Sequence, residues 1–144
     1  MFTIGYEGKS IEEFINSLIK ENIRALCDVR NNPLSMKYGF SKGQLKKITN
    51  NFKIEYFHIP GLGIPSQKRK NLSTNEDYLN LFKSYSNTTL KENIRDLVIL
   101  KNIFLEKERI AIVCFEKEPN SCHRSYTAKA VSNMLDNKYE IVHL

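Results

Sequence analysis

Residues able to carry out acid–base or nucleophilic chemistry follow the predicted strands of this chain, where each strand ends. Asp28 and Arg30 follow one apolar run, and His58 follows another. Glu116 comes directly after the most apolar run. In open α/β sheets, ligands bind beyond the carboxyl ends of the strands. If the strands are parallel, these side chains lie at one end of the sheet, and we predict a functional site there.

The sequence Cys122-His123-Arg124 falls in the predicted first turn of a helix. Free backbone N–H groups and the helix dipole favour an anion at that position. By helical angle, His123 and Arg124 should lean over the end of the sheet, whereas Cys122 is aimed less well. A cysteine at a helix N-terminus can still act as a nucleophile, so Cys122 is a catalytic candidate. The alternative is a capped helix whose cysteine fills a small gap.

Three charged residues have both a functional and a structural interpretation. Asp28 and Arg30 lie on the same side of a strand end, so the carboxylate could orient or deprotonate a substrate while the guanidinium holds phosphate. The alternative is a structural ion pair. Glu116 follows a buried strand, and burial would raise its pKa toward general-acid or general-base use. It could instead cap a helix or pair with Arg124 or Arg30.

The full set of candidate site residues combines catalytic and binding groups. The catalytic candidates are Asp28, His58, Glu116 and Cys122. The substrate- or anion-binding candidates are Tyr6, Glu7, Arg30, Ser35, Lys42, His123 and Arg124. Tyr6 could stack on a base or sugar, or simply cover the core. Lysines 42, 46 and 47 and residues 68–70 could form a basic surface beside the site, or a solvated face.

A metal site is weighed because His58, Cys114, Cys122 and His123 are all possible ligands. The spacings typical of structural zinc sites, C-x2-C and H-x3-H, do not occur. We therefore predict neither a metal nor a cofactor, although convergence in three dimensions stays open. Cys27 is predicted to lie in the core, and His143 to be a hydrogen-bonded structural residue.

The elements that would position these residues alternate in the order β-α-β-α-β-α-α-β-α-β. Strands are predicted at residues 2–4, 25–29, 54–59, 110–115 and 139–143. Helices are predicted at 11–21 and 42–50, and a third begins near residue 75. A long helix follows the predicted cap at Thr89 and ends at about 106, and the last helix runs from 120 or 121 through 135. Capping boxes are predicted at Ser10 with Glu13, Ser41 with Gln44, and Thr89 with Glu92. The pattern predicts a single layered α/β domain over residues 1–144, whose mostly parallel sheet of about five strands is flanked by helices.

Composition agrees with a folded domain and favours anionic partners. The chain has 144 residues, of which 41% are hydrophobic and 26% charged, which excludes a disordered or collagen-like chain. The longest wholly apolar run has six residues, too few to cross a membrane. Three cysteines and a strand pattern at the N-terminus, where a signal peptide would be apolar, predict a cytoplasmic protein. The net charge of +6 favours nucleic acid, nucleotides or phosphorylated metabolites.

Several motifs together resemble the DUF488 family. They are TIGYEG at residues 3–8, DVR at 28–30 with NPLS at 32–35, FSK at 40–42, YFHIPGLG at 56–63, and CFE at 114–116 followed by CHR at 122–124. The match runs in order through nearly the whole chain. The resemblance implies an α/β fold with a common functional end of the sheet. It implies no reaction, because the family has no agreed function.

These observations favour an enzyme that acts on a phosphate-bearing substrate, such as a nucleotide or nucleic acid. Arg30 and Arg124 would hold the anion, and Asp28, Glu116 or His58 would transfer protons. The alternative is a non-catalytic nucleic-acid- or nucleotide-binding module, and a third hypothesis is thiol or redox chemistry at Cys122. Carboxylates among the candidates favour the enzyme, because a binding module needs cations more than acids.

Overall fold

The computed structural model describes residues 1–70 and 72–144, which contain a five-stranded parallel sheet. The strands are β1 (Phe2–Gly5), β2 (Ala25–Asp28), β3 (Glu55–His58), β4 (Ile110–Cys114) and β5 (Val142–His143). Their order across the sheet is β3-β2-β4-β1-β5, and every neighbouring pair is parallel. The predicted α/β class and parallel sheet are confirmed. Strand order, which hydrophobic periodicity does not encode, is a finding of the structure.

Helices cover both faces of this sheet. They are α1 (Ile11–Lys20), α2 (Lys42–Asn51), α3 (Asn75–Ser84), α4 (Leu90–Glu92), α5 (Ile94–Lys107) and α6 (His123–Asn133). Side chains of α1 and α2, including Phe14 and Leu45, pack on one face, and side chains of α5 and α6, including Leu100 and Val131, pack on the other. The helices therefore bury the sheet from both sides.

Strand β4 lies in the middle of the sheet and explains why its sequence is continuously apolar. Ile110 and Ile112 point into the core on the α5–α6 side, whereas Ala111 and Val113 point into the core on the α1–α2 side. Each fully buried Ile or Val side chain contributes about 1.5–3 kcal/mol relative to exposure. A strand covered on both faces needs no polar alternation. The strand ends at Cys114, one residue earlier than predicted.

Two of the predicted capping boxes have different outcomes. Ser10 caps α1 as predicted: its Oγ accepts from the Glu13 N–H at 3.1 Å, and the Glu13 carboxylate accepts from the Ser10 N–H at 2.7 Å. The box predicted at Ser41 and Gln44 is wrong. Ser41 is the N-cap of α2, but its Oγ donates to the Ser35 carbonyl at 3.0 Å, and the Gln44 Oε1 accepts from Gly39. The loop before α2 uses the polar atoms that the box would need.

The helices between residues 75 and 107 are divided differently from the prediction. Residues Tyr85–Thr89 form a π-helical turn that continues α3, so Thr89 already has helical backbone angles and cannot cap a helix. The predicted Thr89 box is therefore wrong. The predicted long helix is instead interrupted at Asn93, between α4 and α5. Thr74 and Asp77 form a capping box at the start of α3.

The last two elements are shorter than predicted. Asn120 and Ser121 belong to a 3-10 turn (Pro119–Ser121), and Cys122 is the N-cap of α6, so the predicted start of this helix is wrong. The helix ends at Asn133, before Leu135. The last strand pairs with β1 through Val142 and His143 alone. No helix in the described part of the chain is long and apolar enough to cross a membrane.

The direction of the chain through the sheet changes between β1 and β4. From β1 the chain passes through α1 to β2 and through α2 to β3, all toward one edge, whereas from β4 it passes through α6 to β5 at the other edge. The loops that follow β1 and β4 consequently leave toward opposite faces and open a crevice between them. Ligands of open α/β sheets bind at such a switch point.

Candidate functional site

A cleft of about 350 Å³ lies at this switch point, and we call it the strand-end cleft. Its walls come from the ends of β1 and β4, the start of α6, and the loops at residues 30–36 and 64–69. Six residues that the sequence analysis considers line it: Tyr6, Arg30, Ser35, Arg69, Cys114 and His123. A volume of this size is typical of small-molecule sites. Parallel strands thus bring several of the predicted residues to one place.

Four side chains with metal-binding or acid–base chemistry converge beside this cleft. They are Cys114, Glu116, Cys122 and His123, which we call the thiol cluster. Their ligand atoms all lie within 4.8 Å of one another. The Cys114 Sγ donates to the Glu116 carboxylate at 3.2 Å, and it lies 3.7 Å from the His123 Nδ1. Cys122 Sγ lies 4.0 Å from the same nitrogen.

The orientation of His123 is fixed by the backbone of a neighbouring strand. Its Nε2 lies 3.1 Å from the Val29 carbonyl oxygen, which can only accept a hydrogen bond. Nε2 therefore carries the proton, and Nδ1 presents a lone pair to the cluster. That lone pair accepts from Arg69 Nη2 at 2.8 Å. Nδ1 can therefore act as a base or ligand only when Arg69 moves away from it.

Arg69 covers the cluster from the loop between β3 and α3. Its Nη1 donates to the Glu116 carboxylate and its Nη2 to His123. Its buried Nε has no hydrogen-bond partner among the described residues. The side chain is 30% exposed, so part of the guanidinium faces solvent while part neutralises Glu116. Arg69 is therefore the cation placed most directly at the strand-end cleft.

The ionisation of Glu116 differs from the sequence prediction. Burial by itself would raise the pKa of Glu116, but the Arg69 guanidinium, together with hydrogen bonds from thiols, lowers it below the ordinary value. Glu116 is consequently a carboxylate at neutral pH. Its ion-pair partner is Arg69, not Arg124 or Arg30 as the sequence suggested.

Cys122 is buried in the cluster and is not poised as a thiolate. Burial and the neighbouring Cys114 raise the pKa of Cys122 well above its ordinary value. The expectation that Cys122 is aimed less well at the site than His123 and Arg124 is wrong, because Cys122 is the N-cap residue, with φ −138° and ψ 138°. Helical angle counting does not apply to a residue with extended backbone. Its side chain is therefore turned toward His123.

Asp28 and Arg30 form a buried network on the opposite face of the sheet. Arg30 donates to Asp28 through Nε at 2.8 Å and through Nη2 at 2.6 Å. Its Nη1 donates to the Tyr6 hydroxyl and the Phe40 carbonyl, and Asp28 also accepts from Tyr56 at 2.5 Å. This is the structural ion pair of the sequence analysis. Both side chains use most of their hydrogen-bond donors or acceptors on other atoms of the protein.

Arg124 is fully buried below the loop that follows β4. Its Nη1 and Nη2 donate to the carbonyls of Glu116 and Lys117, at 2.5 and 2.9 Å. Its Nε has no partner among the described residues. The guanidinium thus holds the backbone that positions the Glu116 carboxylate.

The remaining predicted residues lie around the cleft without joining the thiol cluster. His58 and Lys42 contact each other at 3.1 Å at the end of β3, and His58 Nε2 lies 3.0 Å from the Arg30 carbonyl. Glu7 accepts from the Lys117 N–H at 2.8 Å and ties the loops after β1 and β4 together. Two more have local structural contacts: Tyr6 stacks on Phe40, and Ser35 accepts from the Lys37 N–H. Cys27 is buried, and His143 bonds to Thr3, as predicted.

A second, larger cleft of about 680 Å³ adjoins the first, with Arg69 and Phe115 in the wall of both. Its lining adds the Glu116 carboxylate and the exposed side chains of Tyr78 and Leu79. A ligand that contacts Arg69 can therefore extend in either direction.

Sequence reasoning did not select two of the cluster's contacts. The sequence presents Cys114 only as a possible metal ligand, although alternation along the strand places it on the same side as Glu116, two residues later. In the sequence, Arg69 is one of several cations that could form a basic surface. No local signal identifies it, because it reaches the cluster from a loop that is 47 residues from Glu116 in sequence.

Gly5 sets the distance between β1 and the loop that carries Glu116, and its replacement by alanine should destabilise the protein. A Cβ there would lie 1.9 Å from the Glu116 carbonyl oxygen, which is backbone and cannot turn aside. We expect Gly5→Ala to lower the free energy of unfolding by about 1–3 kcal/mol, measured by urea denaturation. The control is Gly43→Ala in α2, where a Cβ meets nothing within 4 Å. Alanine at position 43 should stabilise by about 0.5–1 kcal/mol, and equal losses for both variants would contradict the steric argument.

Comparison with known proteins identifies a family but no individual relative. Curated proteins and solved structures gave no match to the chain. The model of the family described as "Domain of unknown function DUF488" matches residues 10–131, which include β2, β3, β4 and the whole thiol cluster. Because that match covers most of the chain, the protein belongs to the DUF488 family.

Proposed function

We propose that the protein is an enzyme that acts on a phosphate-bearing substrate, a nucleotide or a nucleic-acid strand, bound in the strand-end cleft. The observation that carries this proposal is the position of Arg69. A partly exposed guanidinium stands between two clefts at the switch point of the sheet and contacts both Glu116 and His123. A fixed cation beside a carboxylate and an imidazole base fits an anionic substrate that undergoes proton transfer.

The roles in this proposal differ from those the sequence suggested. Arg30 and Arg124 are buried and engaged with protein atoms, so Arg69 takes the anion-binding role. Only two of its five N–H groups are used by side-chain acceptors, which leaves donors for phosphate oxygens. The proton-transfer roles fall to Glu116 and His123, because the Asp28 carboxylate is enclosed by Arg30 and Tyr56.

Exposed apolar side chains at the mouth of the cleft favour a substrate that includes a nucleobase. Leu34 and Met36 line the strand-end cleft, and both are exposed, as is Tyr38 on the same loop. Phe115, in the wall of the same cleft, is half-exposed, and aromatic side chains beside cations are typical of sites that stack unpaired bases. These side chains also support the second candidate, a nucleotide- or nucleic-acid-binding module without catalysis.

Binding can be tested by thermal unfolding with nucleotides, sugar phosphates, and short DNA and RNA strands. A compound present at 100 times its Kd should stabilise the protein by about 2.7 kcal/mol. We expect Arg69→Gln to weaken binding of that compound roughly 10- to 100-fold, since a charge-assisted hydrogen bond contributes about 1.5–3 kcal/mol. The matched control is Arg24→Gln, which removes the same charge from an exposed pair with Glu108 before β2, at the other end of the sheet.

The outcomes separate a specific site from general attraction to a basic protein. Loss of binding in Arg69→Gln with retention in Arg24→Gln supports the proposal. Equal weakening in both variants, or no stabilisation by any phosphate compound, rejects it. Product analysis of the compound that binds then distinguishes the two candidates: turnover that disappears in Glu116→Gln supports the enzyme, and binding without turnover in the unmodified chain supports the module.

A further inference from the structure

We infer that Cys114, Glu116, Cys122 and His123 form a binding site for one divalent cation of the zinc type. The end of β4 supplies Cys114 and Glu116, and the start of α6 supplies Cys122 and His123. The site borders the strand-end cleft, because Cys114 and His123 both belong to its wall. This inference does not depend on the proposed substrate, and in the metal-bound state Glu116 and His123 serve as ligands and not as proton-transfer groups.

The distances within the thiol cluster match those between the ligands of a tetrahedral ion. Zinc bonds of about 2.3 Å to sulfur and 2.0–2.1 Å to nitrogen put a sulfur and a nitrogen ligand about 3.5 Å apart. In the structure, the His123 Nδ1 lies 3.7 Å from the Cys114 Sγ and 4.0 Å from the Cys122 Sγ. The Glu116 Oε2 lies 3.2 Å from Cys114 Sγ. The four ligand atoms therefore lie close enough together to share one ion once Arg69 and the imidazole move.

The donor set selects the class of metal. Two thiolates and an imidazole favour zinc and chemically similar borderline cations over magnesium and calcium, which prefer oxygen ligands. The fourth donor is a carboxylate, which zinc also accepts. Three of the four residues are fully or almost fully buried, so the ligands are shielded from competing water.

The surroundings of the cluster resemble an outer coordination shell. The His123 Nε2–H donates to the Val29 carbonyl, the kind of contact that commonly orients a ligating histidine. Arg69 donates to Glu116 Oε1, while Oε2 faces Cys114. To admit the ion, Arg69 has to leave Nδ1, and the imidazole has to turn, because Cys114 Sγ lies 3.7 and 3.8 Å from its two nitrogens.

The charge of the site is balanced with and without the ion. In the metal-free protein the Glu116 carboxylate is neutralised by Arg69, and the Cys114 thiol donates its hydrogen to the same carboxylate. Binding of a divalent cation displaces the protons of Cys114 and Cys122 into solvent, so two positive charges replace two protons. The buried region thus gains no net charge, and Arg69 can keep its contact with Glu116.

The first test uses the full chain, reduced and freed of metal by a chelator, and titrated with Co²⁺ as a spectroscopic substitute for Zn²⁺. We expect one Co²⁺ per chain, thiolate-to-cobalt charge-transfer absorption, and the strong visible bands of tetrahedral cobalt. Zn²⁺ should abolish both spectral features by displacement. In a separate titration in weak buffer, Zn²⁺ should release about two protons per chain.

Three variants then locate the site. Cys122→Ser and Glu116→Gln each remove one donor, and we expect the serine variant to lose at least about 100-fold in affinity, beyond the effect usual for an outer-shell partner. The matched control is Cys27→Ala, which removes the third cysteine, buried in β2 outside the cluster, and should keep the wild-type affinity.

The results decide the proposal even if a variant does not fold, because proton release and charge transfer are measured on the wild-type chain. Cobalt bound without charge-transfer absorption, or zinc bound with fewer than about two protons released, overturns the proposed ligands. A loss in Cys27→Ala equal to that in Cys122→Ser also overturns them. Neither readout requires a substrate, so failure here is distinct from failure of the proposed anion site.

Discussion

Replacement of Asp28 by alanine is expected to lower the free energy of unfolding by about 3–5 kcal/mol, the cost of leaving a buried charge without its partner. Arg30 is 5% exposed and directs two guanidinium nitrogens at the Asp28 carboxylate. Without the carboxylate, its charge stays inside the protein, and the Tyr56 hydroxyl loses its acceptor. Urea denaturation of the two proteins measures the difference directly.

A double substitution distinguishes a structural pair from two independent charges. Arg30→Met alone should also be costly, because it leaves Asp28 as an unpaired buried carboxylate. The combination of Asp28→Leu with Arg30→Met should cost well below the sum of the single losses, because neither charge is then left alone. If Asp28→Ala instead changes stability by less than about 0.5 kcal/mol, the ion pair is not structural, and the catalytic hypothesis for Asp28 gains support.

The secondary structure was predictable where one local signal dominates. Strand β4 is apolar throughout because both of its faces are covered, and no other group in the described residues competes for the Ser10 hydroxyl of the capping box. The prediction at Ser41 was wrong because the Ser41 hydroxyl bonds to Ser35, six residues away, in a loop whose path the sequence pattern does not reveal. Local signals therefore located the elements better than their ends.

The site was predictable in its position along the chain but not in its partnerships. Parallel strands were enough to bring Glu116, Cys122 and His123 to one end of the sheet. The end of β4 lies between the ends of β1 and β2 because of the order of the strands in the sheet. The hydrophobic periodicity of the sequence does not reveal that order. Whether Asp28 is paired or free depends on Tyr56, which donates to it, and on Tyr6 and Phe40, which accept from its partner Arg30. Such burial is a property of the whole fold.

The role that the sequence suggests for Arg124 differs from the role that the structure shows. From sequence, an arginine in the first helical turn is an anion-binding candidate. In the structure its guanidinium is fully buried and holds two carbonyls of the loop that carries Glu116. An exposed anion-binding arginine could be replaced at little cost in stability, whereas a buried structural one could not. Stability therefore discriminates between the two roles before any ligand is known.

We expect Arg124→Ala to lower the free energy of unfolding by about 3–5 kcal/mol, because two carbonyls lose their donors at about 1–3 kcal/mol each and the side chain leaves a cavity. Arg124→Met should recover the part due to the cavity alone. Arg95→Ala, at an exposed site in α5, is the control and should change stability by less than about 0.5 kcal/mol. If Arg124→Ala behaves like Arg95→Ala in urea denaturation, the guanidinium does not hold this loop. In that case the carbonyls of Glu116 and Lys117 have other donors, and an anion-binding role for Arg124 becomes the better interpretation.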